Sequence, residues 1–167
     1  LATTKNDKIE SNKQRKIVQT YTFSYKQFEL VKKRFETNEP IGMKNFFSNA
    51  DTNCLDCPFN SYGKCYTHKF NQYVGFISSL KSVFKKFGSI DNIPTFDISM
   101  LDTLVKMSKD TYVRFGTYGE PSLHPIEMIR AMVNVCDNWT GYTHQYTKNN
   151  LGDYFMASTH NTSEVDK

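Results

Sequence analysis

The chain has 167 residues, a net charge of +4, 38% hydrophobic and 14% aromatic content, and 13 Phe and 10 Tyr. A chain of that length and composition buries a core as one domain or most of one, which excludes a largely disordered protein. No apolar run approaches a membrane span and no apolar signal core opens the chain, so a cytoplasmic protein without membrane insertion is expected; the mild positive charge permits nucleic-acid contact without arguing for it.

Residues 1–16 are polar and basic, with Lys5, Lys8, Lys13, Arg15 and Lys16 against Asp7 and Glu10 and no apolar period. They read as a mobile basic arm, solvated or laid on nucleic acid, ahead of a single α/β domain over 17–167. Leu1 in place of Met points to a processed or partial product. The β-branched and aromatic run IVQTYTF at 17–23 predicts a strand. Ser24 and Gln27 form a capping-box pattern before Phe28, Val31 and Phe35, which predicts a helix of about three turns ending before Asn38 and Pro40. A short strand is expected at 41–48.

The next stretch, NCLDCPFNSYGKCYTH at 53–68, gathers Cys54, Cys57, Cys65 and His68. Two cysteines separated by two residues can present both thiolates to one ion or cluster, and Pro58, Asn60, Ser61 and Gly63 let the chain double back with Cys65 and His68. Buried cysteines or a disulfide are the bland alternatives. In a reducing compartment clustered thiols read first as metal ligands. Four closed ligands including His68 would suit structural zinc; three thiolates with an open position would suit an iron–sulfur cluster.

Beyond the loop, Phe70, Tyr73, Val74, Ile77, Leu80, Phe84 and Phe87 fall at helical spacing, Gly88 supplies a stop, and Lys81, Lys85 and Lys86 make a solvated end. Pro94 and Asp97 open a helix through Lys109 with Ile98, Leu101, Leu104 and Val105 buried. YVRFG at 112–116 predicts a strand. Pro125 opens a helix whose buried face is Ile126, Ile129, Met132, Val133 and Cys136. Further strands are expected at 139–146 and 154–159. Strand alternating with helix or loop builds parallel sheets. The strand ends at Arg114, Gly116, Gly119 and Glu120, and at Thr143, His144 and Gln145, are rich in glycine and polar groups; in parallel sheets such ends line ligand clefts, although each alone reads equally as a turn or a satisfied histidine.

FGTYGEPSLHP resembles the GGEP segment of radical S-adenosylmethionine enzymes, in which a three-cysteine loop after the first strand holds a [4Fe–4S] cluster and the glycine segment follows later. CLDCPFNSYGKCYTHK, VRFGTYGEPSLHP, WTGYTHQY and YFMAS are similar to uncharacterised radical-SAM-like proteins of phages and prophages, over most of the chain after Met43. The resemblance implies a partial (β/α)-barrel-like parallel sheet with flanking helices, lacking the C-terminal strands that those proteins carry beyond the point corresponding to Lys167. It implies Cys54, Cys57 and Cys65 as cluster ligands and Gly119 with Glu120 as the turn that contacts S-adenosylmethionine; the polar strand-end reading adds Arg114, Gly116, His144 and Gln145 as candidate cofactor contacts, and no catalytic residue or substrate is assigned. The spacing here is C-x2-C-x7-C where the superfamily usually has C-x3-C-x2-C. Two non-catalytic alternatives stand beside it: a zinc-stabilised binding protein closed by His68, and a phage accessory that binds a host protein or nucleic acid, for example an inhibitor of host defence.

Overall fold

The computed structural model describes residues 2–5, 16–60, 63–146 and 151–159. In chain order come strands β1 (Ala2–Lys5) and β2 (Lys16–Tyr21) and helices α1 (Tyr25–Thr37), α2 (Met43–Ser48), α3 (Asp51–Cys54) and α4 (Phe70–Phe87). They are followed by α5 (Leu101–Ser108), β3 (Tyr112–Tyr118), α6 (Ile126–Val133), β4 (Asn138–Thr140), β5 (Tyr142–Thr143) and β6 (Met156–Ala157). The protein is α/β. The stretch read as one domain over 17–167 contributes to two compact units, one built from Leu1–Thr22 with Phe96–Lys167 and the other from Phe23–Thr95.

The first unit carries a sheet in the order β1-β2-β3-β4, with β1 antiparallel to β2 and with β2, β3 and β4 mutually parallel. β3, α6 and β4 form the strand–helix–strand unit that returns the chain in the same direction. After β4 the chain leaves this sheet at Gly141, and β5 then pairs in parallel with β6. A Cβ at Gly141 would lie 2.7 Å from the Phe155 ring and 3.2 Å from Phe115 Cβ, so the backbone can pass between those side chains only without one of its own. The core beneath the sheet joins Val18, Val113 and Phe115 to Leu104 of α5, to Met128, Ile129 and Met132 of α6, and to Phe155. Burying each of these side chains stabilises the unit by roughly 1.5–3 kcal/mol.

In the second unit both halves of the capping box form: Gln27 N–H donates to Ser24 Oγ (3.1 Å) and Ser24 N–H to Gln27 Oε1 (3.2 Å). α1 ends at Asn38 in the left-handed region (φ 58°), which Asn tolerates better than most residues. α4 buries Tyr73, Phe76 and Leu80 and stops at Gly88 (φ 71°). Phe46, Phe47, Tyr73 and Phe76 pack edge-on and tilted, with centroids 5.4–6.3 Å apart.

Three expectations are corrected. Residues 41–48 hold helix α2, not a strand: Phe46 and Phe47 are both fully buried, which a strand would send to opposite faces, and Gln27 Nε2 donates to Phe46 O (3.0 Å). Ile98 is 72% exposed, because the helix expected from Pro94 begins as a 3-10 turn capped by Asp97 and continues as α5 only from Leu101, shifting the phase of the buried face. Within the arm read as mobile, Ala2–Lys5 is a strand, since the edge of β2 offers unpaired backbone groups that even a polar segment can satisfy; residues 6–15 lie outside the described residues. No helix among the described residues is long and apolar enough to cross a membrane.

Candidate functional site

The cysteine loop is a series of tight turns. α3 ends at Cys54, and Cys57 N–H donates back to Cys54 O (3.1 Å), closing a four-residue turn over Leu55 and Asp56. Leu55 sits at φ 50°, ψ −135°, the first central position of a type II′ turn, where glycine is the usual occupant. Asn60 N–H donates to Cys57 O (3.0 Å) and His68 N–H to Cys65 O (3.0 Å), so each cysteine is followed by, or sits inside, a backbone turn. Cys54, Cys57 and Cys65 are half-buried and none forms a disulfide; Cys65 Sγ lies 3.1 Å from Thr67 Oγ1. Among the described residues no three His, Cys, Asp or Glu side chains are grouped to hold a metal. The donor set fits a thiolate-bound metal in kind and number, although the three sulfurs expected to meet at one centre are not grouped there.

His68 is placed differently from the cysteines. Its ring is nearly buried, its centroid 4.1 Å from that of Phe47, and Gly63 N–H donates to Nδ1 (3.1 Å). A neutral imidazole has one in-plane lone pair; with Nδ1 accepting, the proton is assigned to Nε2. His68 can therefore ligate only by giving up the Gly63 bond. Cys136 lies in the other unit, half-buried against the core just past α6, with Sγ donating to Val133 O (3.5 Å).

The second cluster lies at the carboxyl ends of β3 and β5. β3 bends at Gly116 (φ 61°), where a Cβ would stand 2.8 Å from Pro121 Cδ and 3.1 Å from Gly119 O. The bend turns Gly116 N–H toward Thr20 Oγ1 (2.9 Å), which sits at a register irregularity in β2 between Gln19 and Tyr21. His124 Nε2 is 2.8 Å from the same hydroxyl. Since Thr20 accepts from Gly116, its own proton is available to Nε2, and burial holds the imidazole down at a pKa of about 4, neutral at physiological pH. We expect Gly116→Ala to cost about 3 kcal/mol through positive φ and the clash with Pro121, read as a lower thermal midpoint.

Gly119 (φ 80°) then turns the chain into Glu120, which caps the 3-10 turn Pro121–Leu123. Glu120 is buried, and its Oε1 accepts from Ser122 N–H (3.2 Å) and the Thr143 hydroxyl (2.5 Å) while Oε2 accepts from His144 N–H (3.1 Å). Thr143 Oγ1 in turn accepts from Gln145 N–H (2.9 Å). His144 Nδ1 lies 3.1 Å from Ser158 O, so that nitrogen carries a proton. Of the residues singled out in sequence, Glu120, Thr143, His144 and Gln145 are thus brought together, with Gly116 and Gly119 shaping the turn that delivers Glu120. Arg114 sits farther back in β3, paired in register with Gln19 and Thr140, where its charge opposes the upward push of burial on the Tyr21 phenol. An open cavity of about 580 Å³ reaches the same strand ends, lined by Trp139, Thr140, Thr143, Tyr146, Tyr154 and Met156 among others.

Thr20 and His124 belong to this cluster and were not singled out in sequence. His124 lies in the SLHP segment beside the glycine turn, but nothing local to Thr20 marks it, because its partners lie about a hundred residues away. No family model, curated protein or solved structure matches the chain.

Proposed function

We propose that the chain is a metal-binding, radical-SAM-like protein in which Cys54, Cys57 and Cys65 hold an iron–sulfur cluster and the strand ends around Gly116, Gly119 and Glu120 receive S-adenosylmethionine. The observation that carries the reading is the engagement of His68: with Nδ1 accepting from Gly63, three thiols remain in the loop, which favours an open three-thiolate site over a closed zinc tetrahedron. The parallel run β2-β3-β4, in sequential order, supports a part of a (β/α) barrel, and the cavity reaching Thr143 leaves room for a small ligand beside the Glu120 cluster.

Were such a cluster and S-adenosylmethionine bound, they would supply radical chemistry for hydrogen abstraction. The chain's own residues do the rest. Cys54, Cys57 and Cys65 would hold the cluster. Glu120 fixes the Thr143 hydroxyl and the His144 amide at the strand ends, and the Gly116–Gly119 turn keeps side-chain bulk away from that point. A reducing cytoplasm would keep the thiols available. The test is iron content after anaerobic reconstitution of single Cys→Ser variants. Iron is expected to be lost at positions 54, 57 and 65 and retained in Cys136→Ser; iron binding that survives Cys65→Ser would overturn the ligand set.

A further inference from the structure

The turn that joins the first two cysteines suits a second kind of chemistry. We propose that Cys54 and Cys57 form a reversible intramolecular disulfide by exchange with a low-molecular-weight disulfide such as oxidised glutathione, and that this bond withdraws both thiols from metal. The disulfide stands on the turn itself; its effect on metal rests on the reading above.

The Cys57 N–H to Cys54 O bond (3.1 Å) makes these residues the ends of a closed β-turn. Such ends lie within about 7 Å Cα to Cα, and a disulfide needs roughly 4.4–6.8 Å, so the backbone already holds the pair near bridging distance. Leu55, which carries the unfavourable positive φ of that turn, is 38% exposed and the two flanking cysteines are only half-buried, so an attacking disulfide can reach the turn from solvent. The other two thiols are built differently. Cys65 lies against Thr67 Oγ1, eight residues beyond Cys57. Cys136 sits in the other unit against its core, and burial raises its pKa and so suppresses its thiolate.

The exchange balances in two steps. One cysteine thiolate attacks a sulfur of glutathione disulfide, forming a mixed disulfide and expelling one glutathione thiolate. The second cysteine then attacks the protein sulfur of that mixed disulfide, closing the Cys54–Cys57 bond and expelling the other glutathione. Two protein thiols are oxidised, one glutathione disulfide is reduced to two thiols, and the two protons pass to them.

The full chain, reduced and freed of metal, would be incubated with oxidised glutathione, alkylated and mapped by mass spectrometry. The expected product links Cys54 to Cys57 with Cys65 and Cys136 alkylated, reverts with dithiothreitol, and takes up ferrous iron and sulfide only after reversion. Glutathione left on either cysteine, or a bridge to Cys65, overturns the proposal. As a control, Cys57→Ser should retain glutathione on Cys54, because the resolving thiol is gone; loss of that adduct would also count against it. The arms separate the two readings: a Cys54–Cys57 bond in a chain that never binds iron removes the cluster alone, and iron binding without that bond removes the redox device alone.

Discussion

Glu120→Ala is expected to lower stability by about 3 kcal/mol, because it leaves the buried Thr143 hydroxyl and the partly buried Ser122 and His144 amides without their acceptor. Thermal unfolding reads the loss, and hydrogen exchange localises it: the His144 amide should lose protection before the amides of β2 and β3 do. Glu120→Gln should fall between, since one amide oxygen can still accept while its NH2 group faces a donor. An unchanged thermal midpoint in Glu120→Ala would show that the carboxyl does not tie these strand ends together and would return Glu120 to the role of a ligand contact alone.

Acidification gives the second large effect. The His124 imidazole titrates at about 4 in the folded protein against 6.5 for the ordinary side chain, the main cause being burial. The folded pKa is depressed, so at pH values between the two the unfolded chain binds a proton that the folded chain refuses. Stability therefore rises with pH through this window and is lost as pH falls from about 6.5 to about 4, by roughly 3 kcal/mol in all. Denaturant midpoints of the wild type and of His124→Gln across that range check it. The variant, which keeps a hydrogen-bonding group near Thr20 but cannot titrate, should show a flatter profile; identical slopes in the two proteins would assign the pH dependence elsewhere.

Local chemistry made much of the fold legible. The capping box at Ser24 and Gln27, the Asn38 stop and the helix to Gly88 follow from spacing and cap residues alone, and all three form. The parallel pairing of β3 with β4 and of β5 with β6 follows from the alternation of strand with helix or loop, but the one strand expected over 139–146 is broken at Gly141 into β4 and β5, which belong to separate sheets. What was not legible depends on distant partners. α2 is a helix because Phe46 and Phe47 both find burial and Gln27 reaches its backbone from nineteen residues earlier, which no window over 41–48 contains. The Gly116, Thr20 and His124 contact is likewise made across the sheet. The glycine turn and the polar strand ends were visible as candidates, yet only the fold shows that Glu120 is the residue that binds Thr143 and His144 together. In the cysteine loop the turn formers were legible and the strain was not: nothing in CLDC announces that Leu55 takes a glycine-like conformation.

The cysteine loop carries the central claim, and one measurement tests it most directly: anaerobic purification followed by metal and sulfide analysis and a visible spectrum of the same sample. The expected result is a brown protein with iron and acid-labile sulfide, with the colour bleached by air. A colourless protein that holds one zinc per chain and is unchanged by air would contradict it and leave a zinc-stapled binding protein in its place.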